Sequence, residues 1–106
     1  SLAYELERLG AMMAVAGKPS FVCASARRAV EKAICADPAL ADLDREIFTA
    51  SARAVRAATD PRARQALQRA QDDFIARRNA SFGRPGYDLK QAMQERLDRL
   101  TGGGAQ

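Results

Sequence analysis

The dipeptide Asp-Pro occurs twice in this sequence, at Asp37–Pro38 and at Asp60–Pro61. An Asp side chain accepts hydrogen bonds from the free N–H groups at the beginning of a helix, and Pro, which has no N–H group, loses nothing at the first helical position. Apolar residues keep helical spacing after each pair, to about residue 59 after the first and to about residue 80 after the second. The sequence therefore predicts two long helices, which a short connection would pair as an antiparallel hairpin.

An additional helix is predicted at the N-terminus, over residues 2–16. Its apolar side chains recur at the spacing of one helix face, at Leu2, Leu6, Leu9 and Met13. Gly17 and Pro19 end this pattern. We expect this helix either to cover the rest of the bundle or to mediate self-association.

Three further segments complete the predicted secondary structure. A short helix is expected near residues 27–36, a loop over residues 81–88 and a last helix over residues 89–100. Residues 102–106 include three glycines and are predicted to be a flexible tail. Because no segment alternates apolar and polar residues as a strand does, the predicted fold class is all-α, a small helical bundle with a long central antiparallel hairpin.

The composition argues against catalysis and against a metal site. The sequence contains no His, which excludes Ser-His-Asp and Cys-His catalysis and imidazole metal ligands. Its two Cys cannot build a structural zinc site alone. Two pairs of acidic residues occur close together, Asp42 with Asp44 and Asp72 with Asp73. Residues one or two positions apart do not share a helix face, so neither pair suits acid–base chemistry. No catalytic residue, metal or cofactor is therefore predicted.

Positive charge is concentrated in the middle of the chain. The protein has 17 Lys and Arg against 13 Asp and Glu, a net charge of +4. Residues 51–86 contain three Asp and eight Arg, namely Arg53, Arg56, Arg62, Arg64, Arg69, Arg77, Arg78 and Arg84. This region is either a solvated helix face or a surface for an acidic partner.

The two cysteines, Cys23 and Cys35, limit the conformation of the chain between them. In one straight helix, a separation of 12 residues would place their Cα atoms roughly 18 Å apart. A disulfide requires a Cα–Cα distance of about 4.4–6.8 Å. The residues alone leave two alternatives, either free thiols or a chain that doubles back between the cysteines.

A set of residues at fixed spacing between Cys23 and Asp44 is more specific than the cysteine pair. Its members are Cys23, Glu31, Lys32, Ile34, Cys35, Asp37, Pro38, Leu40, Leu43 and Asp44. In this pattern the sequence resembles the LprI-like lysozyme-inhibitor N-terminal family, a group of small bacterial envelope domains. The resemblance covers about residues 19–101, and residues 1–18 lie outside it.

The resemblance implies a disulfide between Cys23 and Cys35, so that one bridge staples the predicted bundle. A disulfide implies an oxidising compartment, and the expected location is periplasmic or otherwise extracytoplasmic. The apolar run over residues 9–17 is too short to span a membrane. Because the chain begins without Met, we expect it to be a processed or trimmed product, from which a preceding leader or membrane anchor is absent.

The other residues of the pattern are expected to be structural: Glu31, Lys32, Asp37, Pro38 and Asp44. We expect Glu31 to support a helix cap or to pair with a neighbouring Arg. Asp44 is expected to tie the central hairpin to the cysteine segment.

The second half of the chain departs from the family pattern. Ser81 and Asp88 stand where the family tends to carry a second pair of cysteines, and Phe74 and Asn79 replace a Trp and an Asp. Both partners of a second bridge are therefore missing together. We expect the 81–88 loop to be mobile, since only packing and Pro85 would restrain it.

These observations favour a non-catalytic, extracytoplasmic domain that binds a protein or an envelope component through its Arg-rich helices. The alternative is an inhibitor of a lysozyme-like cell-wall hydrolase, the activity that the resemblance implies. Common lysozymes are basic with acidic residues in the cleft, so a net charge of +4 opposes docking unless a local arginine offsets it. The expected partner-binding residues are Arg77, Arg78 and Arg84.

Nucleic-acid binding is a third hypothesis, because a basic helical domain with a pI near 9.6 can neutralise phosphates. The absence of a recognisable motif, the scarcity of aromatic residues and the implied disulfide all disfavour it.

Overall fold

A computed structural model describes residues 15–102 as four α-helices. These are α1 (Ala29–Ala36), α2 (Pro38–Ala57), α3 (Pro61–Ser81) and α4 (Leu89–Leu100). A short 3₁₀ turn, Cys23–Ser25, precedes α1. The described range contains no strand, which confirms the all-α prediction. Residues 2–14 of the predicted N-terminal helix and nearly all of the glycine tail lie outside the described residues.

The ends of the long helices follow from local sequence signals. The side chain of Asp37 accepts a hydrogen bond from the N–H of Ala39 at 2.9 Å, and that of Asp60 accepts one from the N–H of Arg62 at 3.1 Å. A proline occupies the first position of α2 and of α3. Asp88 caps α4 in a similar way, through the N–H of Gln91 at 3.0 Å.

The apolar core lies between α1, α2 and α4. Val30 and Ile34 of α1 pack in one cluster with side chains of α2 and α4, namely Ala41, Leu43, Ile47, Leu89 and Met93. Ile34 and Met93 are completely buried. The predicted α2–α3 hairpin is present, but the fully buried apolar residues that face α2 come from α1 and α4, while α3 contributes the half-buried Phe74.

Helix α3 buries polar side chains instead of apolar ones. Its two buried residues are Gln71 and Arg78. Its first half is exposed except at Leu67 and Ala70, which are half-buried. The end of α2 and the first half of α3 therefore form an exposed basic surface, which we name the basic tip and which carries Arg53, Arg56, Arg62, Arg64 and Arg69.

The disulfide implied by the resemblance is present. Cys23 and Cys35 are bonded, with their Cα atoms 5.9 Å apart. The 3₁₀ turn and the extended residue Ala26 let the chain fold back along α1, so that the first cysteine lies beside the last turn of that helix.

The segment before the disulfide is held along α2. The N–H of Gly17 donates to Asp42 Oδ1 at 2.6 Å, and Arg45 donates to the carbonyl of Lys18 at 2.9 Å. Asp42 and Arg45 also form an ion pair at 2.8 Å. The Gly17 and Arg45 donors lower the pKa of Asp42, because both stabilise its ionised form.

Glu31 caps α1 and provides a pH-dependent contact. Its carboxylate accepts hydrogen bonds from the N–H groups of Arg28 at 3.0 Å and Arg27 at 3.2 Å, and these bonds lower the pKa of Glu31 from 4.5. The unfolded chain therefore takes up a proton here at a higher pH than the folded domain does. This contribution to stability is present above pH 4.5 and is lost as the pH falls through the lowered pKa.

We therefore expect the urea midpoint to fall as the pH is lowered from neutral to about 3, and Glu31→Gln to make that fall shallower. Glu46→Gln is the matched control, because Glu46 is exposed on α2 and its carboxylate forms no ion pair among the described residues. An identical pH dependence for Glu31→Gln and the native protein would contradict the capping role.

Candidate binding site at the α3–α4 end of the bundle

The loop between α3 and α4 is a pair of anchored turns. Phe82 and Tyr87, near its two ends, are half-buried and pack against the core. The N–H of Arg84 donates to the carbonyl of Ser81 at 3.0 Å, and the N–H of Tyr87 donates to the carbonyl of Arg84 at 3.1 Å. The backbone thus restrains the loop in addition to the packing and the proline expected from the sequence.

Arg84 lies at the apex of this loop. Gly83, Arg84, Pro85 and Gly86 are all exposed, and both glycines have left-handed backbones, with φ of 87° and 84°. The tight turn requires this conformation, which glycine adopts without strain. The Arg84 side chain forms no ion pair with any acid in residues 15–102. A cationic side chain is therefore presented on a convex, restrained turn.

Arg78, which the sequence placed among the partner-binding residues, lies inside the fold. Only 6% of its surface is exposed, and its Nη1 lies 3.6 Å from Asp44 Oδ1. Its Nε and Nη2 donate to Asn79 Oδ1 at 3.2 and 2.9 Å. Burial lowers the pKa of Arg78, while the charge of Asp44 opposes that shift. We assign Arg78 a structural role beneath the loop.

Asp44 connects the loop end of the bundle to the cysteine segment. Its Oδ2 accepts hydrogen bonds from the N–H of Ser20 at 2.6 Å and from the Ser20 hydroxyl at 2.7 Å. Its other oxygen faces Arg78. One buried carboxylate thus holds α2, α3 and the segment before Cys23 together.

Beside the loop, α3 and α4 enclose a cleft of about 260 Å³. We name it the arginine cleft, after the arginines that line it in addition to Arg78: Arg77 on α3 and Arg96 and Arg99 on α4. Phe74 and Tyr87 form apolar parts of its wall, and Glu95 is its acidic member. Arg77 is exposed, as a partner-binding residue must be.

The Arg96 side chain is held in the cleft by a neutral acceptor, so no carboxylate compensates its positive charge. Its Nε and Nη2 donate to Gln71 Oε1 at 3.2 and 3.0 Å, and its guanidinium lies 5.8 Å from the centre of the Phe74 ring. Burial lowers the pKa of Arg96, and the like charges of Arg99 and Arg77 lower it further.

Arg96 and Arg99 were not among the residues predicted from the sequence. The predicted basic region covers residues 51–86, whereas in the structure the end of that region lies against α4. Their i, i+3 spacing puts both on one face of a helix, and this was the only available signal.

The remaining predicted residues have no visible part in this site. Lys32 is exposed on α1, and Asp37 and Pro38 begin α2. Residues 15–102 contain no group of three or more His, Cys, Asp or Glu that could hold a metal ion. Among the helices described, none is long and apolar enough to cross a membrane.

The fold and the site define a small, disulfide-bonded, all-α domain with a basic end. The chain belongs to the lysozyme inhibitor LprI family, whose model matches residues 23–102. No curated protein and no solved structure gives a match. The assignment to the family rests on the family model and agrees with the resemblance seen in the sequence.

Proposed function

We propose that this protein is a non-catalytic, extracytoplasmic binding domain that inhibits a lysozyme-like cell-wall hydrolase by placing Arg84 in the hydrolase cleft. Family membership supports the class of partner. The observation that carries the proposal is the exposure of Arg84 at the apex of a turn with two backbone hydrogen bonds.

The chemistry of the partner favours an arginine at this position. Glycoside hydrolases generally use a pair of carboxylates in a cleft, about 5–9.5 Å apart. A guanidinium can donate two parallel hydrogen bonds to a carboxylate, with a planar geometry that lysine lacks. A convex turn can enter such a cleft, and an inhibitor needs only to fill it and exclude the substrate.

The anchoring of the loop reduces the cost of binding. A flexible segment loses conformational entropy when it is ordered in a complex. Here Phe82 and Tyr87 pack on the core, and Asp88 caps α4, so the turn is already ordered at both ends. The disulfide supports the oxidising compartment in which cell-wall hydrolases act.

A second candidate partner is an anionic component of the cell envelope, and the basic tip favours it. The arginines of this tip, Arg53, Arg56, Arg62, Arg64 and Arg69, are all exposed, and Asp60 is the acidic residue among them. Such a surface attracts polyanions through charge alone, in a salt-dependent manner. Nucleic acid would be attracted in the same way, but the disulfide argues against a cytoplasmic partner.

Arg84→Glu is expected to weaken inhibition of a lysozyme-like hydrolase by at least tenfold, and Arg84→Ala by a smaller factor. Removing a hydrogen bond between charged groups costs about 1.5–3 kcal/mol, which is roughly a tenfold to hundredfold change in affinity. The glutamate additionally repels the carboxylates of the cleft. The measurement is the lysis of cell-wall substrate with increasing amounts of the oxidised domain, at low and at physiological salt.

Arg62→Glu is the matched control, since it makes the same change of charge at the exposed beginning of α3. That helix is 21 residues long, so this site lies about 30 Å from the loop end. Equal losses for the two variants would assign the effect to net charge and overturn the role of Arg84. Absence of inhibition by the native domain would overturn the hydrolase as partner.

A further inference from the structure

The arginine cleft contains a positive charge that the protein leaves uncompensated. Buried or half-buried guanidinium groups are usually paired with carboxylates. The ion pairs in residues 15–102 are Arg45 with Asp42 and Arg78 with Asp44, and neither involves the other arginines of the cleft. Arg96 instead donates to the neutral amide of Gln71, which orients the guanidinium while leaving its full charge in the cleft.

The contacts of Arg96 with Gln71 and Phe74 fix the orientation of its guanidinium group. Gln71, its acceptor, is only 7% exposed, and the guanidinium lies over the Phe74 ring. The bonds to Gln71 use Nε and Nη2, which leaves Nη1 without a partner among the described residues. A rigid donor with a free edge is suited to binding an external acceptor.

The net positive charge of the cleft is of the size that a bound dianion would compensate. Arg77, Arg96 and Arg99 carry three positive charges, and Glu95 carries one negative charge. Glu95 accepts a hydrogen bond from Gln91 at 3.2 Å and forms no ion pair with these arginines. Arg78 is already compensated by Asp44. A net charge of +2 therefore remains. The pKa of Arg96 is lowered chiefly by burial and further by the like charges of Arg99 and Arg77.

We propose that the arginine cleft is a binding site for a phosphate monoester. Such a group carries a charge of about −1.5 to −2 at neutral pH and three strong acceptor oxygens. A carboxylate would compensate only one of the two net charges. The cleft volume of about 260 Å³ suits a compact group of this kind. The proposal does not rest on the hydrolase, because its deciding residues are Arg96 and Arg99 rather than Arg84, and Arg77 is the arginine that the two surfaces share.

The first test is a titration of the oxidised ¹⁵N-labelled domain with inorganic phosphate, followed by NMR at constant ionic strength and compared with chloride. We expect saturable shifts of the amide signals of residues 77, 87 and 96–99. Arg96→Gln is expected to weaken binding by at least roughly tenfold, since it removes a charged donor. Arg99→Gln, on an exposed residue that leaves the packing intact, is expected to weaken it by roughly threefold to tenfold.

Arg62→Gln on the basic tip is the matched control and is expected to leave phosphate binding unchanged. Three results would overturn the proposal: no saturable shift, equal shifts with chloride, or equal losses in Arg62→Gln and Arg99→Gln. The Arg99→Gln variant decides the outcome if Arg96→Gln fails to fold.

A second arm distinguishes the sources of the phosphate group. Vesicles of phosphatidylcholine with phosphatidic acid display a phosphate monoester, whereas vesicles with phosphatidylglycerol display a diester with a single charge. Retention that prefers phosphatidic acid and is lost in Arg99→Gln would support a lipid headgroup as ligand. Binding of inorganic phosphate without such retention would support a soluble phosphate monoester.

Discussion

Replacing Asp44 with alanine is expected to lower the free energy of unfolding by about 3–5 kcal/mol, the cost of removing one partner from a buried ion pair. Asp44 is 8% exposed, and its loss would leave the buried guanidinium of Arg78 without its carboxylate. It would also remove the acceptor for the Ser20 N–H and hydroxyl groups. Small domains have total stabilities of about 5–15 kcal/mol, so this variant would lose a large share of its stability.

Urea unfolding of the oxidised protein, followed by far-ultraviolet circular dichroism, measures this effect. Asp73→Ala is the matched control, because Asp73 is an exposed acid on α3, and surface changes of this kind cost within about 0.5 kcal/mol. Asp44→Asn separates the two contributions, since it keeps an acceptor for Ser20 but removes the charge that faces Arg78. A loss in Asp44→Ala no larger than that in Asp73→Ala would contradict the connecting role of Asp44.

Removing the Cys23–Cys35 disulfide is expected to destabilise the domain by about 3 kcal/mol, by reduction or by the double replacement of both cysteines with alanine. The bridge closes a loop between residues separated by 12 positions. Opening that loop increases the conformational freedom of the unfolded chain more than that of the folded domain. The hydrogen bonds from Ser20 to Asp44 would still hold the preceding segment.

The effect of the bridge is measured by urea unfolding with and without a reducing agent. The double-alanine variant is the control for effects of the reducing agent other than opening the bridge. We expect the agent to lower the urea midpoint of the native protein and to leave the urea midpoint of the variant unchanged. A native midpoint that does not move on reduction would contradict the stabilising role of the bridge.

Local signals in the sequence were sufficient to predict the helices. The pattern after Asp37–Pro38 predicts a helix to about residue 59, and α2 ends at Ala57. The second pattern predicts a helix to about residue 80, and α3 ends at Ser81. These predictions succeed because a cap, a proline and a periodic apolar face act within a few residues of one another.

The candidate site depends on contacts that local signals do not contain. Arg96 and Gln71 are 25 residues apart, and Arg78 meets Asp44 on a different helix. The spacing of α3 places Gln71 and Arg78 on the same face as Leu67 and Phe74, but it does not indicate which groups on other helices would partner these polar side chains. Polar residues are buried where another element supplies their partners, so the site became recognisable only once α2, α3 and α4 were in place.

The most direct test of the proposed inhibitor is a map of its contact surface. The oxidised ¹⁵N-labelled domain would be mixed with a lysozyme-like hydrolase in stoichiometric excess, and its amide signals compared with those of the free domain. Perturbations centred on residues 82–88, and reaching Arg77, are the predicted result. Perturbations centred on residues 53–69 of the basic tip, or none at all, would contradict the assignment of the Arg84 loop as the inhibitory surface.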